Sequence, residues 1–416
     1  MKLAVIGGGS TYTPELADGI GRLLHDVEEL VLVDPDAGRL SVVGPVSARI
    51  MAAHGHRARV RWTGSLEDGT DGADAILFQL RIGGQAARQR DETWPLDCGC
   101  IGQETTGAGG LAKALRTVPI VLDLAERASR RASPSAFIID FTNPVGIVTR
   151  ALLSAGYRAV GLCNVAIGFQ RQFAALLGVP PDRVQLGHVG LNHLTWERSV
   201  LVDDKDVLPD LLATSVEEIA PYTGMPAGFV RHLGMVPSYY LRYYYAHDAV
   251  AAAQRGAVTR AEEVARLETE LLALYADPAL DQKPAQLTQR GGAWYSEAAV
   301  DLLVSLRGDR RDVQVVNTVN GTTLPFLPAD AVIEVPAAIG SDGAAPVPVD
   351  AVEPLLRGLI AHVYAYEELA LDAAIRGGRD RVYDALLAHP LVGQAEVAQC
   401  LTDRLIAENA RYLSWA

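Results

Sequence analysis

The chain has 416 residues, 49% of them hydrophobic, and its 37 basic and 50 acidic side chains leave a net charge of −13. That length exceeds the usual reach of one hydrophobic core, so two lobes are expected, and the apolar share excludes a largely disordered chain. The acidic balance excludes a nucleic-acid binder, which needs a basic stripe, and equally a protein held on anionic lipid.

A strand at 2–6 ends in Gly7-Gly8-Gly9-Ser10, a helix follows at 14–24, and a second strand closes on Asp34. Further strands are expected at 75–79, 136–140 and 159–162, each ending in a polar or glycine-rich turn, where ligands collect in open α/β sheets. This rhythm predicts an α/β fold. Residues 1–195 are expected to form a Rossmann-like, NAD-binding domain on a parallel sheet, similar to that of lactate and malate dehydrogenases. From 196 to 416 the texture changes. Apolar spacing predicts helices at 262–275 and around 354–376, with strands at 313–316 and 331–335 and an exposed loop at 340–348. This second domain reads as mainly helical α+β with a small sheet of its own, and is expected to carry substrate, metal and oligomer contacts.

No window approaches the roughly eighteen apolar residues of a membrane-spanning helix, and structured-looking sequence begins at once, leaving no room for a signal peptide. The four cysteines, Cys98, Cys100, Cys163 and Cys400, are too few for a disulfide framework in a chain this long. Cys98 and Cys100 form a C-x-C with no second pair, a poor metal site. A reduced, cytoplasmic protein is the expectation.

The first turn carries the physical recipe for a pyrophosphate. Glycines let the backbone approach the phosphates, and the following helix offers N–H donors and the positive end of its dipole. Gly7 and Gly9 occupy the first two glycine positions, Ser10 and Thr11 follow, and Tyr12 stands at the third. Asp34 has the spacing of a ribose 2′-hydroxyl acceptor, which favours NAD, although Arg39 keeps NADP open. A tight turn without a ligand is the alternative. Phe141-Thr142-Asn143-Pro144 follows a later strand, and a similar Asn-Pro turn sits beside the nicotinamide in lactate- and malate-type dehydrogenases. The Asn143 carboxamide is therefore a candidate for cofactor or substrate.

Cys163 ends another strand and His193 lies thirty residues later. Taken alone, each is more often a packing residue. Together, one thiolate and one imidazole leave coordination positions open for substrate hydroxyls, and softness alone suggests zinc or iron. The segment 102–107, with Gln103, Glu104 and two threonines, either lines a sugar site or forms a solvated loop. Five tyrosines crowd into 237–245; such a stripe is normally packing, yet a buried Tyr near a cation can take a proton.

In order, Gly7-Gly8-Gly9-Ser10 with Tyr12-Thr13-Pro14-Glu15-Leu16, the 102–107 segment, Phe141-Thr142-Asn143-Pro144, Gly161-Leu162-Cys163-Asn164, Gly190-Leu191-Asn192-His193-Leu194, Tyr240-Leu241-Arg242-Tyr243-Tyr244 and Arg290-Gly291-Gly292 resemble glycoside hydrolase family 4. The resemblance runs from residue 2 to beyond 400 and is greatest to its 6-phospho-β-glucosidases. It implies that Cys163 and His193 ligate a divalent metal, usually manganese, against the softness argument. It implies Tyr240 as the base at C2, Arg260 as a contact of the 6-phosphate, and Arg81, Gln103, Glu104 and Asn143 as substrate contacts. Asn164, where members acting on α-linked substrates carry Asp, implies the β type. Ser238-Tyr239 replaces the family's Asn-Pro, so Tyr239 and Tyr240 both remain candidates for the inward-facing base. Cys98 and Cys100 also depart from the family pattern, which implies no shared role for them.

The family mechanism is redox-assisted elimination. NAD takes a hydride from C3, the C2 proton is removed, the aglycone leaves C1, water adds, and the hydride returns. The implied partners are a phosphorylated β-glucoside and, by analogy, further copies of the chain in a homodimer or homotetramer. Two rivals stand beside it: a hydroxy-acid dehydrogenase with net NADH production, and a non-catalytic NAD-binding protein. Only four of the basic residues are Lys, and Arg is the better bidentate phosphate ligand, so a local basic pocket around Arg260 is expected on an acidic surface.

Overall fold

A computed structural model describes residues 1–292 and 294–416. Six strands run parallel: β1 (Lys2–Ile6), β2 (Glu29–Val33), β3 (Arg59–Thr63), β4 (Ala75–Phe78), β5 (Phe137–Asp140) and β6 (Ala159–Gly161). They lie in the order 3-2-1-4-5-6, the doubly wound arrangement, with helices on both faces. Pleating explains the two-sided core. Ala4, Ile6, Val31, Ile76, Phe78 and Ile138 point to one face, against the helices Gly107–Ser129 and Val145–Ser154. Leu3, Val5, Leu30, Leu32, Leu77 and Ile139 point to the other, against the helices Thr13–Leu23 and Tyr295–Gly308.

A second sheet follows, built on the antiparallel pair β7 (Val184–Leu191) and β8 (Leu194–Val202), with β9 (Lys205–Asp206) and β10 (Val236–Pro237) paired to β8. The remaining strands are β11 (Asp312–Val319), β12 (Val332–Gly340) and β13 (Gly343–Pro346). They correct two expectations. These late strands do not make a small sheet of their own; β11 pairs antiparallel with β6 through Asn317 and Gly161, extending the first sheet to nine strands. Part of the expected loop at 340–348 is the edge strand β13. Strand partners so distant in sequence leave no mark in local pattern, and β12 is buried on both faces, which hides its alternation.

The helix expected at 262–275 runs Arg260–Tyr275, opened by a capping box in which the Thr259 hydroxyl accepts from Glu262 N–H and the Glu262 carboxylate accepts from Thr259 N–H. The region around 354–376 is one continuous helix, Pro354–Arg376. Another correction concerns the cysteines. Cys98 and Cys400 form a disulfide across 302 residues, joining the short 3₁₀ turn Trp94–Cys98 to the helix Ala395–Asn409, while Cys100 and Cys163 are free and buried. Spacing within the chain cannot reveal a pair so far apart. Among the described residues no helix is long and apolar enough to cross a membrane.

Candidate active site

The carboxyl ends of β1, β2, β4, β5 and β6 share one edge of the sheet, since Ile6 registers with Val33 and Phe78, Phe78 with Asp140, and Asp140 with Gly161. Almost every residue singled out from sequence lies along that edge or is brought to it. Gly7 has φ +86°, and a Cβ there would sit 2.7 Å from the Gln79 carbonyl oxygen, so both conformation and space demand glycine. A Cβ at Gly9 would lie 2.9 Å from the Asp34 carboxylate. Asp34 accepts from the Gly9 N–H at 3.0 Å, and the Arg39 Nε donates to the Gly9 carbonyl at 2.8 Å. The turn is thus held open beside an acidic strand end, with the helix Thr13–Leu23 starting behind it. These groups fit a dinucleotide: a backbone cradle that a Cβ would fill, and a carboxylate next to it. Asn143, at the end of β5 before a cis Pro144, has a buried Oδ1 with no hydrogen-bond partner among the described residues. An unpaired buried acceptor is costly, which fits a donor supplied by a bound cofactor or substrate.

The second cluster is assembled by pairing. β7 and β8 are joined by Asn192 and His193, the latter in the left-handed region at φ 62°. β10 pairs with β8 at Trp196 and Glu197, and the Ser238 N–H donates to the Thr195 carbonyl, so the 3₁₀ turn Tyr239–Leu241 lands beside His193. The Tyr240 and His193 rings stack with centroids 3.6 Å apart and planes 7° apart. Tyr239 points outward, 41% exposed, with the Arg242 guanidinium over its ring. The structure therefore selects Tyr240 as the inward tyrosine. Cys163 is buried at the start of the helix Val165–Leu177. Burial, reinforced by Glu334, pushes its thiol well up; N–H groups of Val165 and Asn164 and the Asn192 side chain oppose this without overcoming it. Burial likewise raises the Tyr240 phenol, with Cys163 adding to the effect. His193 is lowered to about 4, mainly by burial and partly by Lys113, so it is a neutral imidazole at neutral pH, the form that binds metals. A thiol within electrostatic reach of a phenol that stacks on a neutral imidazole suits a divalent cation, which would favour both the thiolate and the phenolate. No group of three or more His, Cys, Asp or Glu suited to a metal occurs among the described residues.

Behind Cys163 lies a charged network that sequence reading missed. His188 Nδ1 is 2.6 Å from Glu197 and its Nε2 is 3.0 Å from Glu334. The other Glu334 oxygen accepts from Asn192 at 2.8 Å and from Asn317 at 2.9 Å. Although burial opposes both charges, His188 is raised to about 10 by its two glutamates, and Glu334 is held below the carboxylate range by His188 and the two amides.

The 102–107 segment is not a solvated loop: Glu104 and Thr106 are buried. Glu104 is ringed by three cations, Arg81, Lys113 at 2.6 Å and Arg88 at 3.1 Å. Burial works to raise its pKa, but the cations outweigh burial and hold it well below the usual range. Burial in turn lowers Lys113 to about 8. Gln103 faces its own loop, its Oε1 accepting from the backbone N–H groups of Thr105 and Thr106. Arg260 is exposed, paired with Glu263 at 2.9 Å and the Gln289 carbonyl at 2.6 Å. Less exposed positive charge gathers instead at the partly buried Arg81, Arg88 and Arg290 and the buried Lys113. Arg290 donates to the Thr11 hydroxyl at 2.7 Å and to Glu268 at 3.0 Å, and Glu268 also faces Arg39. Lys113 had a sequence signal, a lone charge in the apolar run 107–115; Arg290 stands before the Gly291-Gly292 pair.

Comparison with known proteins agrees with this geometry. Residues 2–179 match the family described as "Family 4 glycosyl hydrolase", and residues 188–392 match its C-terminal domain. The chain is 36% identical to the probable 6-phospho-beta-glucosidase of Bacillus subtilis, covering 99% of this chain and 97% of that protein. It is 34% identical to the 6-phospho-beta-glucosidase of Escherichia coli, covering 99% and 96%. The 6-phospho-beta glucosidase of Thermotoga maritima, solved with manganese, NAD+ and glucose-6-phosphate, superposes with a TM-score of 0.92 at 32% identity over the whole of both chains. A malate dehydrogenase from Salinibacter ruber, at 18% identity and a TM-score of 0.56 over 91% of this chain and 99% of that one, shares the fold. With both of the family's domains matched in order along its length, the chain belongs to glycosyl hydrolase family 4.

Proposed function

We infer that the protein is a 6-phospho-β-glucosidase that uses NAD and a divalent metal, manganese in the first instance, to hydrolyse its substrate by redox-assisted elimination. The observation that carries this reading is Tyr240 stacked on His193 and within electrostatic reach of Cys163, which follows β6, a strand ending on the same sheet edge as the glycine turn. NAD held along Gly7, Gly9, Ser10, Thr11 and Asp34, with a metal at Cys163 and His193, would supply hydride acceptance at C3 and Lewis acidity toward the sugar hydroxyls. Tyr240 would accept the C2 proton, the C1–oxygen bond would break by elimination with the aglycone oxygen taking up a proton, water would add across the C1–C2 double bond, and return of the hydride to C3 would leave no net redox change. Asn143 offers its unpaired oxygen to the bound molecules, Asn164 follows the metal ligand as in the β-type enzymes, and Glu104 with Arg81 shapes the polar wall. Arg260 is proposed for the 6-phosphate, whose binding energy orients the sugar far from the bond broken. Residues 1–195 are proposed as the NAD-binding part and 196–416 as the part that completes the substrate site and the homodimer or homotetramer interface. A cytoplasmic location is proposed on the ground that sugar phosphates and NAD are intracellular metabolites; the Cys98–Cys400 disulfide removes the cysteine-based ground for it.

The test is hydrolysis of p-nitrophenyl β-glucoside 6-phosphate with NAD and manganese. Activity lost on adding a chelator and restored by manganese, without net NADH, is the expected result. Cleavage that needs neither NAD nor metal would overturn the reading, and steady NADH accumulation would turn it toward a dehydrogenase.

A further inference from the structure

Gln103, Thr105 and His193 form a hydrogen-bonded chain whose proton positions are determined by elimination. Gln103 Oε1 accepts from the Thr106 N–H at 2.9 Å and from the Thr105 N–H. Two backbone donors converging on one atom require it to be the amide oxygen, because the amide nitrogen has no lone pair to offer. The Thr105 Oγ1 lies 2.9 Å from that same oxygen. An atom that only accepts must receive the hydroxyl proton, and a hydroxyl has one proton to give. Thr105 Oγ1 is also 2.9 Å from His193 Nδ1. With its proton spent on Gln103, the hydroxyl can only accept there, so Nδ1 must carry the ring hydrogen. A ring that ligates a metal must offer it a lone pair, and with the hydrogen on Nδ1 that lone pair is on Nε2.

We propose that Gln103 and Thr105 are positioning residues that lock His193 in the Nδ1–H tautomer, presenting Nε2 to the metal. The inference rests on the reading of Cys163 and His193 as metal ligands and assigns Gln103 a task other than sugar contact. The other ring nitrogen of a metal-ligating histidine commonly donates to an outer partner that fixes tautomer and orientation, and loss of such a partner typically weakens metal binding about 10–100-fold. The arrangement here differs in that the partner is a hydroxyl, which by itself would tolerate either tautomer; Gln103 removes that freedom.

The experiment compares manganese affinity, by electron paramagnetic resonance of the free ion with NAD present, in full-length wild type, Thr105→Val, Thr105→Ser, Gln103→Leu and Gln103→Glu. Thr105→Val keeps the volume and deletes the hydroxyl; Gln103→Glu keeps an acceptor where Gln103→Leu removes it. Expected is a 10–100-fold weaker dissociation constant in Thr105→Val and a smaller weakening in Gln103→Leu. Thr105→Ser and Gln103→Glu should stay within about threefold of wild type, with NAD affinity unchanged throughout. Binding by folded Thr105→Val within threefold of wild type overturns the proposal, as does equal loss in Thr105→Val and Thr105→Ser, which would assign the effect to packing of the methyl group. Should Gln103→Leu fail to fold, the two Thr105 variants decide alone. Cys163→Ser separates the two levels: if it binds manganese as wild type does, the metal reading itself fails, whereas weak binding in Cys163→Ser with normal binding in Thr105→Val overturns only the tautomer lock.

Discussion

Tyr239 and Tyr240 are neighbours in the chain with opposite surroundings, one outward under Arg242 and the other stacked on His193. The difference predicts that Tyr240→Phe lowers kcat by at least about 100-fold with little change in KM, since positioned proton transfer typically contributes 10²–10⁴-fold. Exchange of the C2 proton with heavy water should disappear with it. Tyr239→Phe should remain within threefold of wild type, and steady-state kinetics on both variants checks the pair. Arg260 offers a contrasting case: exposed and already bonded to Glu263, it is free to turn toward an anion at modest cost. Arg260→Ala is expected to raise KM for a phosphorylated substrate about tenfold, the loss of one charge-assisted contact, with kcat largely kept. An unchanged KM would move the phosphate role to the partly buried Arg81, Arg88 and Arg290. Sequence reading singled out Tyr240, Cys163, His193 and Arg260 through motif and resemblance. It did not find Thr105's bond to His193, because that contact spans 88 residues.

At the scale of elements, the glycine turn is where local sequence and tertiary packing coincide. Gly9→Ala would drive a methyl group against the Asp34 carboxylate, which sits at the end of the neighbouring strand. The expected outcome is NAD binding at least about tenfold weaker, a loss on the order of 1.4 kcal/mol, with the melting temperature nearly unchanged when NAD is absent; fluorescence titration and thermal melts check both. The capping box of the helix Arg260–Tyr275 is a local feature of a different sort. Thr259→Ala should destabilise the protein by about 1 kcal/mol, read by denaturant unfolding, and through the shared helix start it should also disturb Arg260. The turn was legible from sequence, since its chemistry is complete within a few residues; the cap is as local, but apolar spacing placed the helix start at 262 and passed over it.

For the whole molecule, the buried His188, Glu197 and Glu334 group ties β7, β8 and β12 together. His188 rises from 6.5 to about 10 between unfolded and folded chains, burial notwithstanding, because glutamates face both ring nitrogens. The folded state therefore binds more protons than the unfolded one between these values. Its contribution is complete below pH 6.5 and is lost as pH rises toward 10, on the order of a few kcal/mol at about 1.4 kcal/mol per unit. His188→Gln should lower stability at pH 7 by several kcal/mol, roughly the 3–5 kcal/mol of a broken buried pair. Its difference from wild type should shrink as pH rises toward 10; a constant difference in thermal melts would refute the assignment. By itself, the sequence determined the strand, glycine turn and helix of the N-terminal half, the position of Asp34 after the second strand, the family motifs and the acidic balance, because each depends on neighbours a few residues apart or on composition. Only the tertiary structure decided that β11–β13 extend the first sheet, that Cys98 meets Cys400, that Tyr240 faces in, and that positive charge collects around Glu104 and Glu268. Those outcomes depend on pairings tens to hundreds of residues apart, where burial and hydrogen bonding, absent from any local pattern, select the partners.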